Sequence, residues 1–284
     1  MRAFDFKTLS CRYFKRFERK WAWPEAEYLI DNVPDEIWGD VVGDSVANWV
    51  YQQGFFAALM RCYAPNGSLM LVDLGCGHGK LAPVSVFFTH PGGEYLGIDI
   101  QEGYIDYCRQ KYAKIPKVKF HLSRDINPFY PTNQKGAADR KASYGEDWPL
   151  AAESVDVVIA VSVFTHLQEA DALGYARKIH SVLKPNGLAI LTCHIVEEPR
   201  VEPGFIFNYD PVLAGMFKFS TPLPGSRNWF TCCPELPESG IAINMAGLNS
   251  LIQGKFKTEL ILRGSGTGGS DPIPQDVVVA RKAA

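Results

Sequence analysis

The chain has almost no net charge, no long apolar run and no paired cysteines, and each lack closes off a class of function. Its 284 residues carry 29 lysines and arginines against 31 aspartates and glutamates, a formal net charge of -2. An obligate nucleic-acid binder normally shows a clear basic excess, so this balance argues against one. No stretch reaches the roughly 18 apolar residues that cross a bilayer. The opening MRAFDFKTLSCRYFKRFERKW lacks the continuous apolar core of a secretory signal. The seven cysteines (Cys11, Cys62, Cys76, Cys108, Cys193, Cys232 and Cys233) are odd in number and scattered, with no C-x-x-C pair. Neither a disulfide framework nor a zinc site is indicated, and no other metal-ligand cluster stands out. Internal repeats are also missing. With 46% hydrophobic and 21% charged residues, the chain reads as cytoplasmic and globular, long enough for one large domain.

What is present is alternation. After a basic, aromatic opening of about 45 residues, VANWVYQQGFFAALMRCY has apolar residues at helical spacing and stops at Pro65, Asn66 and Gly67. Then LMLVDL, EYLGIDI, KVKFHL, VDVVIAVSVF and LAILTCHI read as five strands. Helical stretches or helix-length spacers separate them: KLAPVSVFF (with Pro83 in its first turn), QEGYIDYCRQKYAK and EADALGYARKIHSVL. VDVVIAVSVF is continuous and β-branched, the pattern of a strand covered on both faces. Strands spaced by helices imply right-handed crossovers and an open parallel sheet. The end differs. NMAGLNSLIQG reads as a helix stopped by Gly254, and KFKTELILRG and QDVVVARK as two strands with no helix between them, hence antiparallel. Two segments show no element, 127–148 and 196–240. The expected organisation is a basic, aromatic cap over 1–45 and one domain over 46–284 with insertions at 127–148 and 196–240, the second a substrate lid.

The chemistry concentrates in LVDLGCGHGK, residues 71–80. Three glycines after a buried strand let the backbone pass close to a nucleotide. The dinucleotide fingerprint is G-x-G-x-x-G; here Gly75, Gly77 and Gly79 are spaced G-x-G-x-G, and Asp73 precedes them. A carboxylate at that strand end repels phosphate and attracts an ammonium group. Asp99, at the end of the next strand and roughly two dozen residues beyond the first glycine, stands where such folds place a carboxylate on ribose hydroxyls. It is equally placed to cap the helix that follows. Asp125 follows the third strand and suits an exocyclic amine. An amino acid part, a ribose and an adenine together describe S-adenosylmethionine.

These residues resemble class I S-adenosylmethionine-dependent methyltransferases. VDLGCGHG looks like the family's first motif, GIDI its ribose-binding acid, VDVVIAVSVFTHL its fourth-strand motif, and LKPNGLAILT its turn and fifth strand. The resemblance implies a Rossmann-like α/β fold with a seven-stranded, mostly parallel sheet, an antiparallel C-terminal hairpin and helices on both faces. It implies a cofactor site of Asp73, Gly75, Cys76, Gly77, Gly79, Asp99, Ile100, Asp125, Ile126 and Ser162, with Asp73 on the amino group and the Asp125-Ile126 pair on the adenine. For Cys76 a packing role competes, its backbone N–H being the part that can face a ligand. The product would be S-adenosylhomocysteine, and the partner a small-molecule methyl acceptor.

His166 and His194 are the candidates for chemistry, both at C-terminal strand ends, where crevices of open α/β sheets lie. Methyl transfer to a hydroxyl needs alignment and removal of a proton, a task suited to histidine. His166 in SVFTHL resembles the catalytic histidine of some sugar O-methyltransferases; the competing reading is a tie between this loop and the next helix. The expected reaction is O-methylation of a sugar, glycan or natural-product hydroxyl. The alternatives are a nucleic-acid or protein methyltransferase, a non-catalytic cofactor-binding protein and, more distantly, a dehydrogenase. The basic opening reads as an amphipathic helix on the domain, as an active-site cap or as a membrane-surface segment.

Overall fold

The computed structural model describes residues 46–64, 67, 69–89, 92–130, 144–196, 218–264 and 275–283. The basic cap, most of the first insertion, the aromatic start of the second and the loop of the C-terminal hairpin lie outside the described residues.

Helix α1 (Val46–Tyr63) leads into β1 (Met70–Leu74), α2 (Ala82–Thr89), β2 (Glu94–Asp99), α3 (Glu102–Lys111) and β3 (Val118–Leu122). Then come β4 (Val155–Ala160), a 3-10 turn (Phe164–His166), α4 (Glu169–Val182) and β5 (Leu183–Cys193). Pro83 occupies the second position of α2, where its missing N–H costs no helical bond. The second insertion holds three short strands, β6 (Thr221–Pro222), β7 (Trp229–Thr231) and β8 (Ile241–Ile243). The chain closes with α5 (Met245–Ile252), β9 (Phe256–Leu262) and β10 (Asp276–Lys282). Helix α5 begins on Asn244, whose side chain accepts from Gly247 N and satisfies one of the open amides of the first turn.

The main sheet runs β3-β2-β1-β4-β5-β10-β9. Strands β1 to β5 pair parallel, and β10 is antiparallel to both β5 and β9. The expected seven-stranded sheet with its antiparallel C-terminal pair is therefore present. Its central strands are buried on both sides, whereas the edge strands β3 and β9 carry exposed positions. Val72, Leu96, Val158 and Ala189 pack on one face with Ala176 and Ile179 of α4 and Leu248 of α5. Their neighbours Leu71, Tyr95, Val157 and Leu188 pack on the other with Phe56 of α1, Ala82 of α2 and Ile105 of α3. Alternate residues thus serve opposite layers, which is why these strands read as unbroken apolar runs.

The chain lays down β1, β2 and β3 in one direction and then returns to place β4 on the free side of β1. That reversal opens a crevice beyond the C-terminal ends of β1 and β4. The opposite end is tied structurally: Asp156 accepts from Met70 N and from Lys184 Nζ, each at 2.8 Å. In the described part of 196–240, expected to show no element, β6 and β7 form, and with β8 just beyond it they make a separate antiparallel sheet β6-β7-β8. It joins the main body where Ile243 N donates to His194 O and Val196 N donates to Ile243 O, both at 2.8 Å.

Candidate active site

The glycine loop leaves β1 in a left-handed course, with φ of 70°, 50° and 75° at Gly75, Gly77 and Gly79. Such values cost an L residue with a side chain about 1–2 kcal/mol each. At Gly75 space forbids a side chain as well, since a Cβ would lie 2.5 Å from Val163 Cγ2 in the loop after β4. The two strand ends that flank the crevice touch there. At Gly79 a Cβ would press on Tyr112 and Cys108. Gly77 differs: nothing lies within 4 Å of its missing Cβ, so the loop turns bare backbone to open space. Helix α1 braces the loop from outside, with Gln53 Nε2 donating to Lys80 O at 2.7 Å and Lys80 Nζ to Gln52 Oε1 at 3.3 Å.

The expected cofactor residues occupy distinct positions around this loop. Asp99 bridges it to α3: Oδ2 accepts from Gly77 N at 2.8 Å and Oδ1 from Gln101 N at 2.9 Å. Burial raises its pKa, and these backbone donors, with Ile100 N, work against the rise. The helix cap expected of Asp99 is corrected: the N-cap position of α3 is Gln101, without a side-chain cap bond, and Asp99 instead holds the Gln101 amide just ahead of the helix. Asp73 is 2% exposed and accepts from Tyr95 Oη at 2.7 Å. Burial lifts its pKa to about 7, opposed by the Tyr95 bond and reinforced by the charge of Asp99. Cys76 is buried, with its amide donating to Ile98 O at 3.1 Å. The ligand contact expected of that amide is thus corrected: it is engaged within the fold. The thiol packs where a Cβ on Gly97 would come within 2.9 Å of it, and burial holds its pKa well above the ordinary range, so the group is inert.

Asp125 is also 2% exposed; its Oδ2 accepts from Ser123 Oγ at 3.0 Å and Gly145 N at 2.9 Å, and Tyr175 bonds to the same carboxylate. It closes the base of the first insertion, with Ile126 half-buried beside it. Ser162 sits at the end of β4 with φ of 58°. Its N–H donates to Thr192 Oγ1 at 2.7 Å and its hydroxyl pairs with Gln275.

His166 ends the 3-10 turn after β4 and is held from four directions. Asn127 Nδ2 donates to its carbonyl at 2.7 Å, Glu238 O lies 2.7 Å from Nδ1, Phe129 stacks on the ring at 5.2 Å and 6°, and Tyr130 meets it edge-on at 5.4 Å. A carbonyl only accepts, so Nδ1 carries the hydrogen and the lone pair lies on Nε2. Among the described residues nothing is hydrogen-bonded to Nε2. Burial lowers the pKa of the ring, partly offset by the Glu238 carbonyl, which keeps the imidazole neutral at neutral pH. His194 is different. It is 3% exposed, packs against Phe219 at 4.8 Å, and has its pKa pushed down to about 3, by burial first and by His166 second. It belongs to the joint between the two sheets.

The sequence reading missed the aromatic rim. His78 lies 4.1 Å from the Tyr104 ring and 5.6 Å from Tyr107. Burial raises the Tyr130 hydroxyl to about 12, reinforced by the charges of Asp99 and Tyr104, and its ring meets His166 edge-on. The one available signal was an aromatic pair directly after Asn127-Pro128, in a segment without periodicity.

Residues 72–191 match the family described as "Methyltransferase domain". Those residues run from β1 to β5 and include the glycine loop, Asp99 and His166. Over these residues the chain is similar to methyltransferase domains, which supports the resemblance to the class I, S-adenosylmethionine-dependent family. Among curated proteins, the chain is 32% identical over 127 residues to a ubiquinone biosynthesis O-methyltransferase of Ruegeria pomeroyi, 44% of this chain and 41% of that one. A second, of a Ruegeria species, is 27% identical over 161 residues, 56% of this chain and 55% of that one. The chain thus spans about half the length of the curated relatives it matches. Of solved structures, the mitomycin 7-O-methyltransferase overlays with a TM-score of 0.53 at 14% identity, covering 98% of this chain and 67% of the other. A Pyrococcus horikoshii protein does so with 0.53 at 16%, covering 88% and 100%. At such identities the likeness concerns the fold. No helix among the described residues is long and apolar enough to cross a membrane, and no group of three metal-ligating side chains occurs among them.

The residues suit the family's cofactor. Open space beside the Gly77 backbone, a buried carboxylate at Asp73 and a half-buried one at Asp99 fit a ligand that carries an ammonium group and paired hydroxyls.

Proposed function

We propose that this domain transfers the methyl group of S-adenosylmethionine to a hydroxyl oxygen of a small molecule, with His166 as general base. The observation that carries the reading is the bond from Nδ1 to Glu238 O, which leaves Nε2 as the basic nitrogen of a neutral imidazole at the crevice end of β4. The cofactor, when bound, supplies a methyl already activated by the sulfonium charge. The protein has then to align the acceptor and take up its proton. Nε2 receives that proton as the oxygen attacks, and the Glu238 carbonyl keeps the opposite side of the ring in place. Asp73 would hold the ammonium, Asp99 the ribose hydroxyls, and Asp125 with Ile126 the adenine, around the backbone of Gly75 to Gly79. Ser162 would shape the wall between the donor and His166.

For the acceptor, the rim of Phe129, Tyr130, His78 and Tyr104 favours a flat, hydroxylated ring of the natural-product type. The O-methyltransferase names of the Ruegeria relatives support the same choice. A sugar or glycan hydroxyl is the other branch. The test is a calorimetric titration with S-adenosylhomocysteine, followed by methyl transfer from labelled S-adenosylmethionine to a panel of phenols, quinols and sugars. Transfer to phenols that disappears in His166→Ala supports the reading. Transfer to sugars alone would move the acceptor to the other branch. Absence of homocysteine-nucleoside binding in folded protein would remove the cofactor assignment.

A further inference from the structure

Glu238 lies in the second insertion, in the sequence CCPELPESG, where an acid between prolines and glycine reads as a surface turn. It is instead 5% exposed. It sits in a 3-10 turn, Pro237–Ser239, against the turn that carries His166. Both of its polar parts are engaged there. Its main-chain oxygen takes Nδ1 of His166 at 2.7 Å, and its carboxylate takes the side-chain amide of Gln168. Gln168 is the N-cap residue of α4, two places after the histidine. A single residue therefore grips the catalytic loop on either side of Leu167.

The grip is rigid. Thr231 Oγ1, from β7, lies within 3.2 Å of the carbonyls of Cys233, Pro237 and Gly240, and Thr231 is 2% exposed. Gly240 N donates to Pro237 O at 3.2 Å and Ser239 N to Leu236 O at 3.0 Å. Burying a carboxylate has a cost that a surface turn would avoid, and a hydrogen bond to a charged group offsets part of it. That expense has a direct return in the orientation of one imidazole.

We propose that Glu238 is a positioning residue. Its carboxylate, anchored on Gln168, holds its own main-chain carbonyl against Nδ1 of His166 and so selects the tautomer whose lone pair is on Nε2. The small sheet β6-β7-β8 is then part of the catalytic apparatus as well as a cover. The inference rests on the reading of His166 as the base, and deepens it.

The tautomer can be read without any acceptor. Protein labelled with 15N-histidine gives long-range proton–nitrogen correlations, with His166 assigned by its loss in His166→Gln. The expected wild-type pattern is a protonated Nδ1 and a pyridine-type Nε2. In Glu238→Ala the Nδ1–H pattern is lost, and the pyridine-type signal moves toward Nδ1. Glu238→Gln, whose amide can still bond Gln168, retains the wild-type pattern. Gln168→Ala, at an exposed position, shows a partial loss and serves should Glu238→Ala not fold. An unchanged dissociation constant for S-adenosylhomocysteine certifies each variant. A protonated Nε2 in the wild type, or an Nδ1–H pattern that persists in both Glu238→Ala and Gln168→Ala, would overturn the proposal. The base reading fails separately: methyl transfer undiminished in His166→Ala, with the tautomer shift in place, would leave the contact standing and remove the base.

Discussion

The sharpest consequence of the site concerns Asp73 and pH. The carboxyl is fully enclosed beneath the glycine loop, with the Tyr95 hydroxyl as a donor and Asp99 as a like charge nearby, and its pKa is raised to about 7. A raised folded-state pKa means that the folded protein holds this proton more tightly than the unfolded chain. The stability it contributes is complete below the unfolded value near 4 and is lost as pH rises through about 7. With each pKa unit worth about 1.4 kcal/mol, keeping Asp73 ionised at pH 8 costs the free protein about 4 kcal/mol. An ammonium group placed against it would relieve part of that cost, so the ligand selects the ionised form. The ionised fraction falls roughly tenfold from pH 8 to pH 6 for a group titrating near 7. S-adenosylhomocysteine should therefore bind up to about tenfold more weakly at pH 6, and binding near pH 7 should release protons, visible by calorimetry in buffers of different ionisation enthalpy. The ligand-free protein should show the opposite trend from this group, melting higher as pH falls below 7. In Asp73→Asn both dependences should flatten. A wild-type affinity that is level between pH 6 and pH 8, with no proton release, would refute the pairing of Asp73 with the ammonium.

Four other expectations follow from the same geometry. Asp99→Ala removes a carboxylate that ties Gly77 and Gln101 together, and the loss of charged hydrogen bonds worth about 1.5–3 kcal/mol should weaken S-adenosylhomocysteine binding roughly 10- to 150-fold in a titration. Gly75→Ala combines a φ of 70° with a Cβ 2.5 Å from Val163 Cγ2, and should lower stability in denaturant melts by about 2–4 kcal/mol; an unchanged midpoint would contradict the close approach of the two loops. His166→Ala should slow methyl transfer by about 100-fold or more while cofactor affinity stays level. Because burial lowers the pKa of His166, the acid limb of the wild-type rate profile should fall below the ordinary histidine value near 6.5, and a limb at or above that value would argue for a different base.

Much of the site was legible because its signals are local. The left-handed course at Gly75, Gly77 and Gly79, the apolar run into Asp73 and the acid closing GIDI each depend on residues a few places apart, and their order along the chain mirrors the order of β1, β2 and β3. The sheet β6-β7-β8 was not legible. Its strands TP, WFT and IAI are two or three residues long, too short for alternation to show, and they pair across intervening turns. Glu238 and Phe129 were hidden for a related reason, since each belongs to an irregular segment whose partner, His166, lies 72 or 37 residues away.

By itself the sequence determined the layered α/β sheet, the glycine cradle and the acids at successive strand ends, because hydrophobic periodicity and glycine conformation act over a few neighbouring residues. Only the tertiary structure decided which of those groups are free to act. It set Tyr95 against Asp73, drew the Cys76 amide into the fold, buried His194 and turned the Glu238 carbonyl onto His166. Hydrogen-bond partners and burial, which govern protonation, are properties of segments brought together from distant parts of the chain.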